Sequence, residues 1–377
     1  MTAEMQTDEP EVGFWLTGSL PPDLGYEGVQ PFLRKHLRPG PNDVLTGGEV
    51  LPPEQVWIVP YSNELATAAG LRNIERYSSK VWHFAVRLAK GLRSNRHMTL
   101  DDVPPMHMAE CMSQCHPLFE QQGYQGTTYK VEFYSPVAHK MFSGALYVDI
   151  RHLEDRTVDE LWKIHKELGE EKYRQIKVQL SVPFEFWADA LKFEGMEKRT
   201  AHYAKQLESL GRVIKRAPNG TRFAFHICYG DLGGKPAVPK WRQRTLAKIA
   251  MINAILDMPV WKLNRWILDT IHEPFGDGKR APRKLSKKVL DLYREHLHNF
   301  PDGTAYAIGI LHERYRISRF PRLAGDITRL QSILRTKGVR RFYLSTHCGL
   351  GRKSVENAAK VLRQHGTIKK LLRTARA

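Results

Sequence analysis

Eight short apolar runs that alternate with stretches of helical periodicity limit the fold of this chain more tightly than any other feature. The runs are Gly13–Leu20, Asp43–Thr46, Thr127–Ser135, Gln175–Pro183, Thr221–Tyr229, Leu263–Glu273, Thr304–His312 and Arg340–His347. Helical periodicity occupies Val158–Tyr173, Glu194–Arg216, Trp241–Leu256, Leu285–Asn299, Ile327–Lys337 and Ser354–Leu372. A strand that returns through a helix before the next strand pairs parallel to it by a right-handed crossover, and eight such units close into a barrel. The expected fold is an α/β (β/α)8 TIM barrel, built as a single domain over residues 1–377. A helical insertion is expected at about 61–126, with one helix over Ser62–Leu92 and a shorter one over His107–Gln121. A doubly wound open sheet is the competing arrangement, but no glycine-rich dinucleotide fingerprint follows the first run.

In such a barrel the working residues gather at the carboxyl ends of the strands. Ser19, Glu49, Glu185, His226, Cys228, Asp231, Glu273, His312, Glu313 and Cys348 all follow apolar runs. Three of them are soft metal donors. His226 and Cys228 are two apart on one strand and project from the same face, while Phe225 and Ile227 face the other way. Cys348 follows the run Arg341–Thr346 and precedes a glycine turn. An imidazole and two thiolates suit Zn2+, which holds them in a tetrahedral shell and can keep one position open. Two thiolates leave the ion near neutral and a poor activator of water, so its natural substrate is a thiol. Coordination lowers the thiol pKa and holds the sulfur as a nucleophilic zinc-bound thiolate, which favours methyl or alkyl transfer to sulfur over hydrolysis.

The neighbouring residues carry paired readings. Glu273 is the candidate fourth ligand, with an ion pair to an arginine as the equal alternative. His312, with Glu313 beside it, stands where a proton donor belongs, and a hydrogen bond to a helix or loop accounts for it as well. Glu185 and Asp231 are placed to touch substrate. His272 and His347 flank proposed ligands and are expected on the opposite strand faces, in structural roles. Cys111, Cys115 and His116 cluster on the short helix of the insertion, where two thiols on one face read as small core residues rather than a second metal site.

Composition narrows the setting. Four cysteines are too few for a disulfide framework in 377 residues, which points to a reducing cytoplasm. No basic leader followed by an apolar run opens the chain, and no run of about 18 apolar residues predicts a membrane span. The net charge of +18 and pI near 9.7 fit a solvated basic surface, one that steers an anionic small molecule, or one that holds nucleic acid without sequence preference. Zinc-finger spacing and RNA-binding aromatic motifs are missing, so nucleic acid is the secondary reading behind a small-molecule thiol and an alkyl donor.

Gly18-Ser19, Gly48-Glu49, His226-x-Cys228-Tyr229 and Cys348-Gly349-Leu350-Gly351, taken in order, resemble the catalytic half of cobalamin-independent methionine synthase and the superfamily it shares with uroporphyrinogen decarboxylase. The resemblance implies zinc roles for His226, Cys228 and Cys348 and a fourth for Glu273. It implies that Ser19 and Glu49 hold the amino-acid part of the thiol substrate. That family is also similar to epoxyalkane:coenzyme M transferase, whose sulfonated thiol would suit a basic cavity. The chain departs from the family in two motifs: Ser181-Val182-Pro183 replaces an Asp-Glu-Pro, with Glu185 close by, and His312-Glu313-Arg314 replaces an Asp-x-His. The amino-terminal folate-related half is also missing, so thiol activation carries over while the methyl donor does not. The alternatives are a decarboxylase-like lyase that binds a polycarboxylate through arginines, and a non-catalytic, metal-stabilised protein that binds a polyanion.

Overall fold

The computed structural model describes residues 12–16, 20–37, 39, 42–46, 98–106, 108–110, 112–113, 117, 128–143, 148–183, 192–228, 240–275, 285–312, 319–346, 349–350 and 354–374. Eight parallel strands form a closed barrel in chain order: β1 Gly13–Trp15, β2 Val44–Thr46, β3 Thr128–Tyr134, β4 Lys177–Pro183, β5 Arg222–Cys228, β6 Ile267–Pro274, β7 Ala305–Leu311 and β8 Arg341–Thr346. Closure is made by β1 against β8, with Gly13 opposite Tyr343 and Trp15 opposite Ser345. The expected (β/α)8 TIM barrel is therefore the fold.

Helices α1 Gly25–His36, α2 Pro136–Ser143, α3 Ile150–Tyr173, α4 Met196–Gln206, α5 Glu208–Arg216, α6 Trp241–Leu256, α7 Lys287–His296, α8 Phe320–Thr336 and α9 Val355–Thr374 surround the strands. Several boundaries differ from the sequence expectation for identifiable reasons. Helix α1 was not expected, because Gly25, Gly28 and Pro31 weaken helical propensity, yet Val29, Phe32 and Leu33 bury one face and hold it. The stretch 194–216 breaks at Leu207 into α4 and α5. Strand β6 begins four residues later than expected, since Pro259–Leu263 is a 3-10 turn that ends on Asn264 in the left-handed region at φ 54°. Of the expected insertion, residues 108–110 and 112–113 are helical, with Met108, Ala109 and Met112 buried and the Ala109 amide donating to Glu160 of α3 at 3.1 Å. The helix expected over 62–92 lies outside the described residues. No helix among the described residues is long and apolar enough to cross a membrane.

Each strand divides its side chains between two environments. Val131, Phe133, Val178, Leu180, Phe223, Phe225, Ile227, Ile308 and Leu344 face the helices and belong to one continuous apolar core. Full burial of each such side chain is worth about 1.5–3 kcal/mol. The lumen is different, because polar and charged groups stand there beside a small buried cluster that includes Trp15, Ala224 and Tyr343. Contacts between strands that are not neighbours run through it: Trp15 Nε1 donates to Gln179 Oε1 at 3.0 Å, and Lys177 Nζ donates to Tyr343 OH at 3.2 Å. At the amino end of the barrel Lys177 Nζ also lies 2.6 Å from Asp269 Oδ2, and the Arg222 guanidinium 2.5 Å from Asp269 Oδ1. The Lys177 ammonium sits 5.4 and 5.1 Å from the ring centres of Trp15 and Tyr343, within cation–π range. Burial pushes the Asp269 carboxyl up, but Lys177 and Arg222, with hydrogen bonds from Lys177 and Thr270, outweigh it and hold the group below the ordinary carboxylate range.

Candidate functional site

Strand β5 delivers the first donor. Its apolar positions Phe223 and Phe225 pack toward Trp261, with ring centroids 6.5 and 6.1 Å away. The alternate positions Ala224 and His226 therefore fall on the lumen side, and Ala224 belongs to the small cluster there with Trp15 and Tyr343. His226 is 2% exposed and is level with Ser181 on β4 and His272 on β6. Cys228 is the last residue of β5, opposite Pro183.

The His226 imidazole is not isolated. Its Nδ1 lies 2.5 Å from Nδ1 of His272. The ring centroids are 4.5 Å apart with planes 18° from parallel, so the two nitrogens lie between the ring centres and the rings meet edge to edge. His272 Nε2 in turn lies 3.0 Å from the carbonyl oxygen of Thr346, the last residue of β8. Beside this pair the Ser181 hydroxyl donates to Glu132 Oε1, and Lys130 Nζ stands 3.6 Å from Glu132 Oε2.

The expectation that Glu273 reaches the same centre is not met, and neither is the opposite-face placement of His272. Phe223 pairs with Leu268 but Ala224 pairs with Thr270, so β6 carries one extra residue at Asp269. A one-residue shift exchanges the faces of everything that follows. Strict alternation from Leu268 would bring Glu273 into the lumen; the bulge brings His272 there instead and turns Glu273 toward the helices. There the carboxylate accepts from the hydroxyls of Tyr293 on α7 and Tyr306 on β7 and is ion-paired to Lys248 on α6. Lys248 Nζ also donates to the Pro274 carbonyl at 2.9 Å. The ion-pair alternative was the correct one, with a lysine in place of an arginine. Burial, and then the charge and hydrogen bond of Glu273, push the Tyr306 hydroxyl well above its ordinary value, so it remains a donor.

His312 follows β7 directly and is fully buried, with its amide donating to Gln364 Oε1 at 3.3 Å and its carbonyl accepting from Gln364 Nε2 at 2.8 Å. This clasp ties the end of β7 to α9. Ser19, Glu49, Glu185, Asp231, Glu313 and Cys348 lie outside the described residues, as do His347, Cys111, Cys115 and His116. No group of three or more His, Cys, Asp or Glu among the described residues could hold a metal ion; of the proposed set, the His226 ring, the Cys228 backbone and Glu273 are described, and Glu273 is engaged by Lys248, Tyr293 and Tyr306. Sequence reasoning named His272 but not its place beside His226, and it missed the charged lumen. The alternation Lys177-x-Gln179-x-Ser181 within an apolar strand was the available sign that one face is polar.

No family model matches the chain, and no curated protein matches it. Among solved structures, a B12-independent methionine synthase from Shewanella sp. W3-18-1 in complex with selenomethionine aligns with 97% of this chain and 99% of its own. The identity is 14% and the TM-score 0.45. A putative vitamin-B12 independent methionine synthase from Listeria monocytogenes aligns with 96% and 98% at 13% identity and a TM-score of 0.41. Superpositions this loose assign no residue a role.

Proposed function

We propose that the chain is a zinc-dependent transferase that moves a methyl or alkyl group onto a thiol. The observation that carries this reading is His226 turned into the lumen at the carboxyl end of β5, with Cys228 two positions on along the same face. Cys348, two residues beyond the end of β8, supplies the third donor in this reading. What supports a donor from that strand end is the last carbonyl of β8, on Thr346, which meets the His272 ring beside His226. An imidazole and two thiols fit Zn2+ by donor chemistry, and the ion's contribution is to lower the pKa of a substrate thiol. In this reading His226, buried at the carboxyl end of β5, gives the imidazole, and Cys228, two positions on in the same strand, gives the first thiolate. The basic surface suits an anionic thiol or donor.

Metal analysis of the purified chain tests this. About one zinc per chain is expected, with Cys228→Ala and Cys348→Ala each losing it and a metal-edge spectrum that changes on addition of a small thiol. Glu273→Gln should keep its zinc, because that carboxylate is held by Lys248, Tyr293 and Tyr306 on the helix side. Full zinc retention by both cysteine variants would remove the proposal.

A further inference from the structure

We infer that His272 is a positioning residue: it sets the tautomer of His226 so that His226 meets a metal through Nε2. This inference rests on the zinc reading above and extends it to a residue outside the proposed ligand set. A carbonyl oxygen can only accept, so the contact of 3.0 Å places a proton on His272 Nε2. A neutral imidazole carries one ring proton, so His272 Nδ1 is then a bare acceptor. The proton between the two Nδ1 atoms, 2.5 Å apart, must therefore belong to His226. His226 is left with an unprotonated Nε2, ready to bind a cation without first giving up a proton. A metal-bound histidine ordinarily donates its other N–H to a carboxylate, carbonyl or water. Here a second imidazole takes that place and is itself anchored to the backbone of β8.

Two features of the barrel serve this arrangement. The bulge at Asp269 turns His272 into the lumen, as described above. Gly309 on β7 leaves room for the ring, since a Cβ there would come within 2.8 Å of His272 Nε2 and 2.8 Å of the Glu273 carbonyl oxygen. The imidazole thus occupies space that any other residue at 309 would claim.

Long-range proton–nitrogen NMR on metal-free, histidine-labelled full-length protein reads the tautomer directly, with His226→Asn used to assign the resonances. We expect the proton on His226 Nδ1. Zinc affinity, measured by competition with a chromophoric chelator, gives the second readout. His272→Gln, which can accept with Oε1 and donate with Nε2, should stay near wild type, while His272→Leu should weaken zinc binding roughly 10- to 100-fold. A proton found on His226 Nε2, or a folded His272→Leu chain that binds zinc as wild type does, overturns the inference. If His272→Leu does not fold, the tautomer in the wild-type chain decides. A wild-type chain that takes up no zinc refutes the transferase reading instead, and the NMR measurement still settles the role of His272.

Discussion

Asp269 is the residue on which the amino end of the lumen depends. It is fully buried between Lys177 and Arg222, and removal of one member of a buried ion pair leaves the other charge uncompensated, which costs about 3–5 kcal/mol. Asp269→Asn should lower stability by that order in denaturant melts at pH 7. The folded carboxyl lies below its ordinary range, so its contribution is complete above the unfolded value of about 3.9. That contribution begins to be lost below this value and is gone once the pH falls through the folded one. The gap between wild type and Asp269→Asn should therefore narrow as melts are repeated below about pH 4. The same residue marks the limit of sequence reasoning at this scale. The lumen face of His226 could be read because a two-residue alternation within one strand is local information. The faces of His272 and Glu273 could not, because they depend on where β6 slips against β5, and that slip occurs at a residue whose partners come from β4 and β5.

At the scale of elements, the strands from β3 onward were legible because each is a compact apolar run bounded by turn residues. The region around β1 and β2 was less so. Helix α1 contradicts its own local propensities, and only the tertiary burial of Val29, Phe32 and Leu33 accounts for it. Strands β1 and β2 have three residues each and depend on close backbone approach. A Cβ at Gly13 would lie 1.9 Å from the Asn42 carbonyl oxygen, a backbone atom that cannot rotate away. Gly13→Ala should therefore push β1 from β2 and cost about 1–3 kcal/mol or more, as overpacking does. Gly325 on α8 is the internal comparison, with nothing within 4 Å of a Cβ added there. Gly325→Ala should be stabilising by about 0.4–1 kcal/mol. Thermal melts of the pair check both signs, and a Gly13→Ala chain as stable as wild type would show that the β1–β2 approach can relax.

For the whole molecule, the net charge of +18 acts against compactness while the buried pairs act for it, and salt separates the two. Lys360, Arg363, Lys370 and Arg373 are exposed along α9, and Arg34 and Lys35 are exposed on α1. The two sets meet where an Arg363 nitrogen lies 3.1 Å from His36 Nδ1. Burial lowers the His36 pKa, and the positive charges of Arg363 and Lys35 lower it further. Exposed repulsion of this kind weakens as the Debye length falls from about 30 Å at 0.01 M to about 8 Å at 0.15 M salt. The contacts of Lys177 and Arg222 with Asp269, and of Lys248 with Glu273, are enclosed by protein and screened much less. The melting temperature should therefore rise as salt is added over this range, because added ions relieve the surface and leave the buried pairs little changed. A midpoint that falls instead would mean that attractive surface pairs such as Arg174–Glu170 and Arg216–Asp155 outweigh the repulsion, despite the excess of 58 basic over 40 acidic residues.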